Sequence, residues 1–215
     1  MKVISNLVRS IPFLNVWFGF RNMKKSYLSE VGWINSRKTK MPIDAQGNAL
    51  PWMTYSSIAF LGLKLREDMH VFEYGSGNST LWLAGLVKNV TSVEHNETWF
   101  DIMQARLSKV SNVDYLFRRR SNGEYSGCIR EYTEFFDVVV LDGRDRIRCC
   151  ELAVEQLKDD GIIVWDNSDR IEYNRGYNIL KERGFKRLDF PGLGPINSDS
   201  WCTSIFYKEN NCFGI

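Results

Sequence analysis

Apolar residues in this chain fall into short unbroken runs separated by stretches of helical spacing. Phe-Asp-Val-Val-Val-Leu at 136–141 is the clearest such run and Ile162–Trp165 another, while His70–Tyr74, Val90–Glu94 and Val113–Phe117 are stretches broken by polar residues that also read as strands. Runs of this length, rich in valine and isoleucine, predict strands buried on both faces. Ser79–Val87, Glu97–Leu107, Ile147–Leu157 and Tyr173–Arg183 carry apolar residues at helical spacing, and the last ends at Gly184. Lys158–Gly161 predicts a turn, Ser56–Leu65 a helix ahead of the first strand, and Phe185–Asp189 and Thr203–Tyr207 two closing strands. Strands alternating with helices predict an α/β fold, a doubly wound and mostly parallel sheet of seven strands. No internal repeat or low-complexity segment interrupts it.

Upstream the pattern changes. Residues 1–40 predict one or two amphipathic helices, and residues 41–51, with Pro42 and Pro51 bracketing Gly47-Asn48, predict a loop. The chain therefore divides into a helical extension and loop at 1–49 and a domain at 50–215. Residues 1–40 hold eight basic residues (Lys2, Arg9, Arg21, Lys24, Lys25, Arg37, Lys38, Lys40) against one acid, Glu30, with Phe13, Trp17, Phe18, Phe20, Tyr27 and Trp33 among them. Such an arm suits peripheral contact with an anionic membrane surface; packing on its own domain or on a second subunit is the alternative. The apolar run Ile11–Phe20 is too short to span a bilayer, and no small-residue cleavage site follows it.

Over the whole 215 residues the net charge is only +2, with 44% hydrophobic and 25% charged residues, the balance of an ordinary soluble domain with no polyanion-binding signature. Arg118-Arg119-Arg120 reads as a solvated face, and no nucleic-acid partner is expected. Five cysteines without a C-x-x-C pair point to a reducing cytoplasm. With His70 and His95 as the only histidines, histidine-rich metal sites and most histidine-based hydrolase schemes are disfavoured.

Ligands of a doubly wound sheet bind at the carboxyl ends of its strands. Four of those ends carry acids: Glu73 before the turn Gly75-Ser76-Gly77, Glu94 before His95, Asp142 before Gly143-Arg144, and Asp166 before Asn167. Gly75 and Gly77 permit a tight turn and close ligand approach, and Asn78 and Ser79 suit the helix start beyond. A carboxylate at that turn repels a diphosphate and attracts a cation, while Glu94 is placed to accept from a ribose diol. A cationic nucleoside without phosphate, such as S-adenosylmethionine, fits better than a dinucleotide. Asp142 and Asp166-Asn167 also suit helix caps or turns. Arg144 and Arg146 suit either an acidic substrate group or neighbouring acids. Trp52, Tyr55, Trp99 and Trp165 suit either a pocket wall or the core.

Val-Phe-Glu-Tyr-Gly-Ser-Gly-Asn-Ser-Thr at 71–80 resembles motif I of class I S-adenosylmethionine-dependent methyltransferases, with Ser79 where many members have a third glycine. Val90–Asn96, Val138–Arg144 and Leu157–Asn167 resemble later motifs of the same class, so the likeness covers roughly residues 50–208. It implies a Rossmann-like sheet and a cofactor-binding set of Glu73, Tyr74, Gly75, Ser76, Gly77, Ser79, Thr80, Glu94, His95, Asp142 and Gly143. Pro51–Tyr55 is similar to a bacterial methyltransferase group met near surface-glycan genes. The acids are similar to those of catechol-type O-methyltransferases, which implies Mg²⁺ on Asp142, Asp166 and Asn167. This chain departs from that type in Gly143-Arg144 and in having no lysine base at the expected place. The resemblance implies O-methylation of a small molecule or glycan sugar, with Asp142, Arg144 and His95 as catalytic candidates. A nicotinamide-dependent oxidoreductase and a non-catalytic scaffold are the alternatives.

Overall fold

A computed structural model describes residues 12–132 and 135–215. Lys2, Arg9 and Ile11, which belong to the basic arm and its apolar run, lie outside the described residues.

Among the described residues the extension forms three helices, α1 (Pro12–Lys25), α2 (Tyr27–Glu30) and α3 (Trp33–Thr39). The domain follows as α4 (Tyr55–Lys64), β1 (His70–Tyr74), α5 (Asn78–Ala84), β2 (Asn89–Glu94), α6 (Glu97–Leu107) and β3 (Val113–Phe117). Then come α7 (Glu124–Gly127), β4 (Phe136–Leu141), α8 (Arg146–Ala153), β5 (Leu157–Trp165), α9 (Asn174–Glu182), β6 (Lys186–Gly192) and β7 (Trp201–Tyr207). The strands form one sheet in the order β3-β2-β1-β4-β5-β7-β6. The first five are parallel, and β7 runs antiparallel to both β5 and β6.

Side chains alternate across a strand, so a strand buried on both faces feeds two cores. Phe72, Tyr74, Val139, Leu141, Ile163 and Trp165 pack on one face against α8, α9 and Tyr125. Val71, Val138, Val140, Ile162 and Val164 pack on the other against Met53, α4 and Leu83 of α5. Continuous apolar runs are what this double burial demands. The order reverses between β1 and β4, where β2 lies to one side and β4 to the other. That is the switch point at which a crevice opens above the strand ends.

Three expectations are corrected. The helix expected to run to Leu157 stops at Ala153, and the turn expected at Lys158–Gly161 is the first half of β5. Leu157 pairs with Phe136 and Ile162 with Val138, so the intervening residues are absorbed in an irregularity rather than in a turn. The helix expected to reach Val87 ends at Ala84 before Gly85. Between β3 and β4 lie short helical turns at Ser121–Gly123, α7 and Cys128–Glu131, for which the sequence offers no periodic signal.

The extension is stitched to the domain. Trp33 Nε1 donates to the Asn197 carbonyl at 2.7 Å, and Arg37 Nη1 to that of Ile196 at 2.8 Å. Asn78 Nδ2 donates to the Pro42 carbonyl. In contrast α1 buries no residue, and Phe13, Val16, Trp17 and Phe20 are exposed along it. No helix of the described residues is long and apolar enough to cross a membrane.

Candidate active site

β1 ends by running straight into the turn at Gly75, whose φ of +90° suits glycine. A Cβ there would lie 2.9 Å from Gly143 Cα, so the turns after β1 and β4 pack backbone to backbone. The Asp142 amide donates to the Tyr74 carbonyl at 3.1 Å and extends the β1–β4 pairing to that contact.

Glu73 lies beneath this turn with no exposed surface. Its Oε2 accepts from Thr80 Oγ1 at 2.5 Å and Ser92 Oγ at 2.7 Å, and Thr80 Oγ1 in turn accepts from the Gly77 amide. Its Oε1 has no hydrogen-bond partner among the described residues. Burial is the main force lifting its pKa to about 7; the hydroxyls of Ser79, Thr80 and Ser92 oppose the rise, and the Glu94 charge adds to it. A carboxyl whose folded pKa is raised favours folding most when protonated. This contribution is whole below about 4.5 and is lost as pH climbs to about 7, a difference of about 3 kcal/mol. Glu73→Gln is therefore expected to be more stable than the parent at pH 8 and to lose that advantage at pH 4.5. Urea denaturation at the two pH values checks this, and an advantage independent of pH would refute it.

Glu94, at the end of β2, draws two loops together. Its Oε2 accepts from the Ser76 amide at 3.3 Å and Ser76 Oγ at 3.1 Å, while Oε1 accepts from the amides of His95 and Asn96 at 2.8 Å each. His95 Nδ1 stands 3.0 Å from the same Oε1. Ser76 also meets Tyr115 Oη at 2.7 Å, and its carbonyl accepts from Trp99 Nε1 at 2.9 Å.

Arg146, the first residue of α8, is buried at the next two strand ends. Its Nη2 donates to Asp142 Oδ1 and to the Asp142 carbonyl, both at 2.9 Å, its Nε to the Gly143 carbonyl at 3.0 Å, and its Nη1 to the Asp166 carbonyl. Asp166 Oδ1 accepts from Thr203 Oγ1 at 2.6 Å and Trp201 Nε1 at 2.9 Å. Burial raises the pKa of both carboxyls. For Asp142 the Asp166 charge adds to the rise and Arg146 opposes it; for Asp166 the Thr203 and Trp201 hydrogen bonds oppose it.

Two chambers meet here. One, of about 310 Å³, is lined by Gly75, Ser76, Ser79, Glu94, His95, Asp142, Gly143, Arg144, Arg146, Asn167 and Arg170. The other, of about 320 Å³, is lined by Trp52, Asp142, Asp166, Asn167, Arg170, Asn197 and Trp201. Asp142, Asn167 and Arg170 belong to both walls.

No protein-family model and no curated protein sequence matches the chain. Solved structures do. Precorrin-6y C5,15-methyltransferase from Geobacter metallireducens superposes with a TM-score of 0.58 at 15% identity, over 72% of this chain and 87% of that one. An O-methyltransferase from Bacillus cereus in complex with SAH gives 0.57 at 18%, over 76% and 86%. An rRNA methylase from Streptococcus thermophilus gives 0.55 at 19%, over 70% and 93%.

The fold is that of the class I S-adenosylmethionine-dependent methyltransferases.

On this methyltransferase fold the sequence-derived residues divide into two layers. Gly75, Ser76, Ser79, Glu94, His95, Asp142 and Gly143 line the first chamber, together with Arg144. Glu73, Tyr74, Gly77 and Thr80 do not. Tyr74 is buried and donates to the Ser126 carbonyl, so it holds the turn from below as Glu73 and Thr80 do. Of the four aromatics considered as pocket walls, Trp52 lines the second chamber; Tyr55 and Trp165 are core, and Trp99 braces Ser76. Arg118 and Arg120 are spent on Glu131 and Asp145.

The expected divalent cation at Asp142, Asp166 and Asn167 is not supported. The guanidinium of Arg146 already neutralises Asp142, and Asp166 Oδ1 is committed to two donors. Among the described residues no group of three or more His, Cys, Asp and Glu side chains is arranged to hold a metal ion. A fixed guanidinium supplies the positive charge that the motif suggested a metal would bring. Arg170, Asn197 and Trp201 were not anticipated. Arg170 follows a strand end and was open to the same reasoning as its neighbours, whereas Asn197 and Trp201 arrive from a distant loop.

Proposed function

We propose that the protein methylates a hydroxyl oxygen of a small acceptor, a free small molecule or a sugar of a surface glycan, using S-adenosylmethionine. The observation that carries this reading is Asp142, a carboxyl of raised pKa on the wall shared by the two chambers. When bound, the cofactor supplies an electrophilic methyl group on a sulfonium. Glu94 and the backbone around Gly75 and Gly143 would hold its nucleoside, and Asp142 would accept the acceptor's hydroxyl proton as the new carbon–oxygen bond forms. A base whose pKa lies above the usual carboxylate range is better matched to a hydroxyl than an ordinary aspartate. The occurrence of an O-methyltransferase in complex with SAH among the structural neighbours supports the reading.

Calorimetric titration with S-adenosylhomocysteine tests it. Saturable binding is expected, with Glu94→Ala weakening it about ten- to a hundredfold, the worth of one or two charge-assisted hydrogen bonds. Absence of binding, or an unaltered affinity in the variant, would refute the assignment, and binding of a nicotinamide dinucleotide instead would favour an oxidoreductase.

For the extension we propose peripheral contact with an anionic lipid surface. Phe13, Val16, Trp17 and Phe20 recur at helical spacing along α1 and are exposed, Arg21, Lys24 and Lys25 follow on the same helix, and exposed Tyr27 begins the next. An unburied apolar stripe flanked by cations is the form an interfacial helix takes. Co-sedimentation with vesicles containing phosphatidylserine is expected, and its loss on deletion of residues 1–25. Equal sedimentation of the truncated chain, or dimerisation through the arm without vesicle binding, would overturn the proposal.

A further inference from the structure

The arginines around the site fall into two groups. A cleft of about 710 Å³ beside α8 is lined by Arg120, Arg148 and Arg175 among others. These three are already paired, Arg120 with Asp145 and both Arg148 and Arg175 with Glu151. An anion drawn to these three would have to displace a carboxylate, and Arg144, which makes no ion pair among the described residues, lines the cleft and the first chamber but not the second. Arg170 differs. It ends the turn after β5, it is exposed, and it makes no ion pair and no side-chain hydrogen bond among the described residues. It is also the one arginine lining both the first and the second chamber, apart from the cleft.

The rest of the second chamber suits a small hydroxylated ring. Trp201 spends its indole N–H on Asp166, which leaves its ring surface for contact, and Trp52 is 45% exposed. Asn167 and Asn197 bring amides that donate and accept. The two carboxyls on this wall do not bar an anion. Asp142 is neutralised by Arg146, and Asp166 has two donors on one oxygen and a raised pKa.

We propose that the acceptor is anionic, a hydroxylated ring compound bearing a carboxylate or phosphate that Arg170 binds in the second chamber. This rests on the methyltransferase reading for the first chamber. The Arg170 charge is felt by Asp142 but its guanidinium makes no hydrogen bond to it, so two parallel donors are offered to either anion, and a charge-assisted pair of that kind fixes orientation as well as affinity. The anion would hold one end of the acceptor and leave its hydroxyl to be placed against Asp142.

The test is calorimetry with glucuronate, glucose 6-phosphate and neutral glucose, on the protein saturated with S-adenosylhomocysteine and on the protein alone. At least one charged sugar is expected to bind at least tenfold more tightly than glucose, and the two charged sugars distinguish carboxylate from phosphate. Arg170→Ala should remove that preference, Arg175→Ala should change it less than twofold, and the affinity of Arg170→Ala for S-adenosylhomocysteine should stay within twofold of the parent. Three results overturn the proposal: no preference for either charged sugar, a preference that survives Arg170→Ala, or a loss of S-adenosylhomocysteine affinity in that variant, which would assign Arg170 to the cofactor's carboxylate. If S-adenosylhomocysteine fails to bind while the charged sugars bind through Arg170, the methyltransferase reading fails and the anion site stands.

Discussion

Arg146→Met is expected to destabilise the protein by about 3–5 kcal/mol, the usual cost of removing one partner from a buried ion pair. Methionine retains much of the volume but none of the donors. Asp142 would lose its counter-charge, and the carbonyls of Asp142, Gly143 and Asp166 would lose their shared donor. Contact of the guanidinium with the Tyr173 ring, 5.5 Å away, would go as well. The loss should depend on pH. Without Arg146 the Asp142 pKa rises further, so the added penalty is felt above the ordinary carboxylate range and fades as pH falls and the group protonates. Urea denaturation at pH 8 and pH 5 measures this, with Arg146→Met/Asp142→Asn expected to recover part of the stability at pH 8. A loss under 1 kcal/mol, or one equal at both pH values, would show that Arg146 does not neutralise the site.

Asp142→Asn is expected to slow methyl transfer by about 10²–10⁴-fold, the range for loss of a general base. Asparagine is nearly isosteric and its carbonyl oxygen can still accept from Arg146, so S-adenosylhomocysteine affinity should change only a few fold. In the parent, the rate should rise with pH through a range above that of a normal aspartate, because the base acts only when deprotonated. The variant should lose that limb of the profile. Single-turnover rates with an acceptor that supports parent turnover provide the measurement. A loss below tenfold with the pH limb intact would remove Asp142 from the role and leave it to His95 or Glu94, which line the first chamber with it.

How much of this was legible depends on burial. β1, β2 and β4 were readable almost to the residue because both of their faces are dry, whereas β3, at the edge of the sheet, is only half-buried and was readable from Val113, Leu116 and Phe117. The first half of β5 was not. Lys158-Asp159-Asp160-Gly161 has the composition of a turn, yet pairing around Leu157 and Phe136 overrides local preference. The strand-end acids were legible because charge at the end of an apolar run is conspicuous. Their division of labour was not, since Glu73 lies below the turn and Glu94 beside it only once β1 and β2 are paired. The guanidinium that neutralises Asp142 lay four residues away in plain view, but nothing local distinguishes a buried arginine from a solvated one. Asn197 and Trp201 reach the chamber only through the antiparallel return of β7.

Ile196 has a φ of +70°, a left-handed conformation that a β-branched residue adopts only at a cost, of order 1–3 kcal/mol. Its carbonyl and that of Asn197 are held by Arg37 and Trp33 of the extension. These two donors thus act as a latch on a sprung loop, and the loop carries Asn197 into the chamber wall. Residue 49 marks where likeness in sequence ends, but the fold reaches back across it: a chain cut at that seam would release the spring, and the chamber wall at Asn197 would loosen before the sheet did.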